Sequence, residues 1–286
     1  MPENLRTLRR KREIVGEIRQ ITRAMKLVSA AKLKRATSAR QAIQTYFDEV
    51  KSALALVAGR VQEPSHPWLV EREVERVGLL LAAGDKGLCG AFNANLVREA
   101  RQFVRESSVR VRTFTIGTRT ADMARRARLN VVREFPAIEQ RERGADVEEI
   151  VHYLTGAYHA GEVDRVVICY ACFLSRISNE PQIVRLLPVQ MPEARPDPQM
   201  HLFEPDLEEL VEQLVPQYMT AHVFEALLSS AASEHSARLM AMTAATDNAE
   251  EMLEDLTRDI NRARQSEITR ELLDVVGGAV ALERQR

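Results

Sequence analysis

The residues best suited to chemistry form the turn Gly84, Asp85, Lys86, Gly87, Leu88, Cys89, Gly90, directly after an apolar run that reads as a buried strand. A glycine-rich turn between a strand and a helix is a place where backbone N–H groups cradle phosphate. The spacing here is GxxGxxG, which is neither GxGxxG nor a P-loop ending in Lys and Ser or Thr. The preferred reading is a tight structural turn in which Asp85 and Lys86 bind a partner or cap a helix. Cys169 and Cys172 form a CxxC, but positions three apart on a strand point to opposite faces, and no second CxxC or His pair completes a zinc set. They read instead as small residues in the apolar run Val166 to Phe173. His152 and His159 lie seven apart on one helical stretch and His222 and His235 on another, without metal-ligand spacing. No GxSxG, HExxH or catalytic carboxylate pair stands out. The expectation is no catalytic residue, no cofactor and no metal.

The elements that position this turn are of two kinds. From Asn4 to about Val57 the pattern is helical, with Leu8, Val15, Ile18, Ile21, Met25, Val28, then Ala36, Ala39, Ile43, Phe47, Val50, Leu54 and Val57 on one narrow stripe. As a helix this spans about 80 Å. A second long stripe, Met242, Ala245, Ala249, Met252, Leu256, Ile260 and Ala263, belongs to a helix running from Gln217 to about Val280. Pro216 suits a first helical turn, so it is expected to start that rod after a shorter helix from Asp206 to Val215. A lone amphipathic helix needs a partner alongside, and the two ends of the chain supply one for each other as a coiled coil.

Between them the periodicity changes. Strands are expected at Val77–Ala83, Val109–Ile116, Val131–Phe135, Arg165–Phe173 and Ile183–Val189, with helices at Ala94–Glu106, Arg119–Arg128 and Val147–Ala160. Alternating strands and helices imply a largely parallel sheet covered on both faces. The fold class is α/β: a long antiparallel coiled coil of N- and C-terminal helices plus a Rossmann-like domain. The divisions are 1–60 for the first helix, 61–73 for a linker in which Trp68 is a docking contact, 74–206 for the α/β domain and 207–286 for the C-terminal helical segment.

The chain has 286 residues, 45% apolar and 28% charged, with a net charge of −1, which argues against wholesale polyanion binding. Met1 to Arg40 carry twelve Lys or Arg against three Glu. These positives surround the apolar stripe without interleaved aromatics, so a protein-facing or solvated basic surface is preferred to a nucleic-acid site. No run is long enough to cross a bilayer, and the basic start lacks the apolar core of a signal peptide. Three cysteines suggest a reducing compartment and no disulfide framework.

Three motif regions carry a resemblance along nearly the whole chain: ITRAMKLVSAAKLKRA at Ile21–Ala36, DKGLCGAFNAN at Asp85–Asn95, and ASEHSARLMAMTAATDNAEEM at Ala232–Met252 followed by NRARQSEITRELLDVVGGA at Asn261–Ala279. In this order the sequence resembles the gamma subunit of F-type ATP synthases, the central rotor shaft. The resemblance implies a non-catalytic subunit whose coil enters a hexamer of alternating alpha and beta subunits. The α/β domain would meet the epsilon subunit and the membrane c-ring. It further implies that Arg264 and Gln265 contact a beta subunit, and that Met25 and Lys26, with Arg23 and Lys32 supplying charge, face the beta subunits' lever. His201, Leu202, Phe203 and Glu204 would meet epsilon and the ring. For Met25 and Arg238, packing within the coil is an equal alternative. Gly84 stands where the family usually has Ser or Thr, which leaves contacts at Lys86 open.

The absence of a presequence gives the expectation of a bacterial complex on the cytoplasmic face of the inner membrane, bound peripherally, without its own transmembrane segment. Two rivals remain at this stage. An α/β enzyme would use Gly84–Gly90 for a nucleotide, and a nucleic-acid-binding coiled coil would use the basic first helix.

Overall fold

A computed structural model describes residues 5–58, 60, 66–137, 144–193, 203–204 and 206–283. The chain forms two compact units: Ser29–Arg238, and Met1–Val28 with Leu239–Arg286. Two helices, α1 (Leu5–Ala58) and α5 (Leu207–Glu283), contribute to both.

The Ser29–Arg238 unit is built on a five-stranded sheet. In chain order its elements are β1 (Arg76–Leu81), α2 (Phe92–Glu106), β2 (Arg110–Ile116), α3 (Thr118–Arg126), β3 (Val131–Phe135), α4 (Gly144–His159), β4 (Arg165–Phe173) and β5 (Asn179–Leu187). The strand order is β3-β2-β1-β4-β5, with β5 antiparallel to β4 and the other pairs parallel. Alternation of side chains along the strands separates two cores. Val77, Leu79, Leu81, Val111, Val167 and Cys169 pack with Phe92, Leu96, Val97 and Ala100 of α2 and Ala124 of α3. On the other face Leu80, Phe114, Ile116, Val166, Ile168 and Tyr170 pack with Val147, Val151 and Leu154 of α4, Leu54 and Val57 of α1, and Val211, Val215, Met219 and Val223 of α5. A pin holds the start of β1: the buried Asp164 accepts from the backbone N–H groups of Glu75 and Arg76 and from the Arg76 guanidinium. Trp68 packs at the margin of the second of these cores.

Two expectations need correction. Pro216 does not start a new helix but lies inside α5, which Asp206 caps through a hydrogen bond from Glu209 N–H at 2.9 Å. An interior proline costs about 3 kcal/mol. Here Val211, Val215 and Met219, at steps of four across the proline, are all buried on the sheet, so packing holds both sides in one helical phase.

The second correction concerns the stripes in the Met1–Val28 and Leu239–Arg286 unit. The covered positions of α1 there are Leu8, Val15 and Thr22, seven apart, whereas Ile18, Ile21 and Val28 are 47%, 60% and 56% exposed. On α5 the covered line is Met242, Thr246, Ala249, Leu253, Leu256, Ile260 and Ala263, alternating steps of four and three. Met252 is exposed and Leu253 takes its place. The buried Thr246 hydroxyl lies 2.7 Å from Met242 O and 3.0 Å from the Thr22 hydroxyl, which itself lies 3.1 Å from Arg19 O, so each threonine has a carbonyl of its own helix as well as the other hydroxyl as a partner. A satisfied polar pair can therefore hold a core position.

Candidate functional site

The turn after β1 is held from three sides by side chains. Gly84 N–H donates to Oδ1 of the buried Asn93 at 2.8 Å, and Asn93 Nδ2 donates back to Lys86 O at 3.4 Å. Asp85 Oδ1 accepts from Arg119 N–H at 2.9 Å, serving the first turn of α3. That helix is preceded by Gly117 at φ +88°, where a Cβ would sit 2.6 Å from Asp85 Oδ1, so only glycine permits the approach. Arg238 of α5 closes the third side. Its Nε donates to Gly87 O at 3.1 Å and its Nη2 to Lys86 O at 3.2 Å. The same guanidinium pairs with Glu234 at 2.5 Å and lies 3.2 Å from His235 Nδ1. Gly84 again allows a close approach, since a Cβ there would lie 2.5 Å from the Glu234 carboxyl carbon. Gly90 sits at φ +58° and Leu88, exposed, at φ +61°.

These contacts bear on what the turn can bind. A phosphate cradle aims N–H groups at its ligand, whereas here two carbonyls are aimed at a guanidinium and the Gly84 N–H is taken. In parallel sheets the ligand crevice lies beyond the C-terminal strand ends where the strand order reverses, which in this sheet is between β1 and β4. A stretch of α5 lies there instead. Ser230 accepts from Ala171 N–H at 3.4 Å and donates to Ala82 O at 2.7 Å. Ser229 accepts from Phe173 N–H at 2.9 Å, Ser233 donates to Ala171 O at 3.2 Å, and Ser236 donates to Arg176 O at 2.5 Å. Arg40 of α1 adds bonds to Glu225 at 2.9 Å and Phe173 O at 3.3 Å. A cavity of about 70 Å³ beside Ala82, Asp85, Ser230 and Glu234 is far below the roughly 300–1,000 Å³ of a small-molecule site.

The thiols are not poised for redox chemistry. Burial pushes the Cys169 thiol up to about 12, assisted by the Glu99 charge. Burial also raises Cys89, against the opposing charge of Arg238, and Cys172. Cys169 and Cys172 belong to opposite faces of the sheet, and among the described residues no cluster of His, Cys, Asp and Glu could hold a metal ion.

The remaining expected site residues are spread along the chain. Arg23, Arg264 and Gln265 are exposed, and Met25, Lys26 and Lys32 half-buried. Phe203 is half-buried with the Arg60 guanidinium 4.9 Å from its ring centre, and Glu204 is exposed. His201 and Leu202 lie outside the described residues. The residues missed from sequence are the four serines, Glu234 and Asn93. The available signal was SSAASEHS at Ser229–Ser236, a break in branched apolar residues within the most buried stretch of α5.

Comparison with known proteins gives a consistent result. The family model described as ATP synthase matches residues 4–282. The chain is 39% identical over 278 residues to the ATP synthase gamma chain of Desulfitobacterium hafniense, covering 97% of this chain and 99% of that one. It is 38% identical to the ATP synthase gamma chain of Pelotomaculum thermopropionicum, with coverage of 98% and 99%. Among solved structures, a chain of the Euglena gracilis mitochondrial ATP synthase OSCP/F1/c-ring assembly shares the fold at TM-score 0.68 and 18% identity, covering 97% of this chain and 94% of that chain. A chain of the Tetrahymena thermophila mitochondrial ATP synthase central stalk and c-ring does so at TM-score 0.59 and 23% identity, with coverage of 79% and 99%.

Proposed function

Since the chain belongs to the ATP synthase gamma chain family, we propose that it is the non-catalytic central shaft of an F-type ATP synthase, coupling ion flow through a membrane ring to ATP synthesis or hydrolysis at beta subunits. The observation that carries this reading is the far end of α5. From Arg264 to Gly277 every side chain is exposed, yet Ile268, Leu272, Leu273, Val275 and Val276 are large and apolar, 45–70% accessible. Their spacing of four and then three or four places most of them on one helical face. The stretch from Arg264 to Gly277 is about 20 Å of helix. An exposed apolar band of that length marks a binding surface, and a hexamer of alternating alpha and beta subunits closing around it is the matching socket.

Arg264 and Gln265 stand at the start of this band as polar contacts to a beta subunit. Arg23 and Lys26, with Met25 between them, supply a basic surface for an acidic lever on the beta subunits. Phe203 and Glu204, with His201 and Leu202, are assigned to the epsilon subunit and c-ring. In assembly terms, 1–60 and 207–286 are the coil, 74–206 the α/β foot and 61–73 their link. An asymmetric axle presents different faces to three otherwise equivalent beta subunits and so biases each toward a different conformation. Among the described residues no helix is long and apolar enough to cross a membrane, which fits a peripheral component; the cytoplasmic face of the bacterial inner membrane is assigned to it.

The test is reconstitution with alpha and beta subunits, followed by ATP hydrolysis and single-molecule observation of a probe on the α/β foot. Stepwise ATP-driven rotation is the expected result. Failure to join the hexamer with well-matched partners, or binding of ATP, ADP or NAD by the isolated chain in calorimetry, would overturn the reading.

A further inference from the structure

Helix α5 is joined to the sheet by two kinds of contact. From Val211 to Leu227 the contact is apolar, whereas from Ser229 to Arg238, about 14 Å of helix, it is a row of buried hydrogen bonds. Ser229, Ser233 and Ser236 are fully buried, Ser230 is 6% exposed and Arg238 7%. Their partners are backbone groups of the β1 end (Ala82), the β4 end (Ala171, Phe173), the β4–β5 turn (Arg176) and the Gly84–Gly90 turn (Lys86, Gly87).

We infer that this serine and arginine seam, rather than the apolar packing beside it, is the torque-bearing joint between the sheet and α5. The inference rests on the shaft reading above. Apolar burial is non-directional, so a small rotation of a helix on an apolar face changes its buried area little. A hydrogen bond weakens steeply as its distance and angle depart from the optimum. Ser229 and Ser230 differ by about 100° around the helix axis, and they bond to the ends of two neighbouring strands, β4 and β1. Turning the helix in either sense therefore lengthens a bond on one flank. Arg238 repeats the arrangement further along, gripping two carbonyls of the turn while held by Glu234 from the preceding helical turn. The seam also accounts for the small residues of SSAASEHS: the helix backbone must lie close enough for a one-carbon side chain to reach the strand ends.

The experiment uses the complete ATP synthase carrying this chain, reconstituted in vesicles, and measures ions pumped per ATP hydrolysed as the opposing ion gradient is raised. For a variant with Ser229→Ala, Ser230→Ala and Ser233→Ala, the ratio is expected to match the parent at low gradient and to fall by about threefold or more at high gradient while hydrolysis continues. Val223→Ala, which weakens the apolar contact of the same helix, is expected to keep the parent's gradient dependence. A load-independent defect would indicate a merely structural role for the serines. If the triple variant does not assemble, Ser236→Ala alone decides, with a smaller load-dependent loss expected. A parent-like profile in the assembled serine variant, or an equal load-dependent loss in Val223→Ala, overturns the inference. A parent enzyme that neither rotates nor pumps would instead overturn the shaft reading.

Discussion

Replacement of Arg238 by Met tests how much the turn after β1 depends on α5. The change keeps the length of the apolar stem but removes the donors to Gly87 O and Lys86 O and the ion pair with Glu234. Breaking a buried pair by deleting one partner costs about 3–5 kcal/mol. Glu234 keeps 15% of its side-chain surface in solvent, so the lower end, about 3 kcal/mol, is expected. Trp68 is the only tryptophan in the chain and belongs to this unit, so its fluorescence reports the relevant unfolding. With a urea dependence of about 2 kcal/mol per molar, the midpoint should drop by about 1.5 M. Glu234→Gln should cost less in the Arg238→Met background than in the parent, since the two residues are coupled. A midpoint within about 0.3 M of the parent, or losses from the two substitutions that simply add, would refute the clamp.

The pH dependence of the same unit should carry the signature of His222, whose ring lies tilted against Phe47 and Tyr218. Burial, with a further contribution from the Lys51 charge, pushes its pKa down from 6.5 to about 4. The unfolded chain thus binds a proton that the folded one refuses, and stability falls as pH drops from about 6.5 to 4, by at most about 3 kcal/mol. Urea midpoints at pH 7 and pH 5 should move closer together in His222→Phe, leaving the contribution of His66, whose pKa burial also lowers, and an unchanged slope in that variant would exclude His222 as a source. Thr22→Val with Thr246→Val, and Thr246→Val alone, should each leave thermal stability within about 1 kcal/mol of the parent, because the Thr22 hydroxyl keeps Arg19 O as a partner; a loss above about 2 kcal/mol in the single variant by calorimetry would refute this. Leu272→Glu with Val276→Glu should not change the unfolding of the isolated chain but should weaken its assembly with alpha and beta subunits, seen by gel filtration. Normal assembly would remove the socket assignment.

The order of strands and helices was legible because period 2 and period 3.6 are local properties of a chain. The strands β3 and β4 fall where the alternation puts them, and α2, α3 and α4 differ from expectation by a few terminal residues. The motif regions at Ile21, Asp85, Ala232 and Asn261 were equally legible, and with them the family. The glycines of Gly84–Gly90 marked it as a turn. Its partner Arg238, about 150 positions away in the chain, was not identifiable as such.

What the amino-acid order alone determined is which stretches are helix or strand and which faces are apolar. It did not determine which apolar face is covered. On α1, Ile14, Ile18 and Ile21 form a stripe as regular as Leu8, Val15 and Thr22, and only the position of α5 decides that the second is buried. Thr22 and Thr246 enter that core because each has a carbonyl of its own helix and the other hydroxyl as partners. Pro216 stays helical because burial on both sides outweighs one missing hydrogen bond. Four serines become a joint because the strand ends they meet leave backbone groups unpaired. In each case the deciding energy belongs to a contact between distant residues, and no local pattern records it.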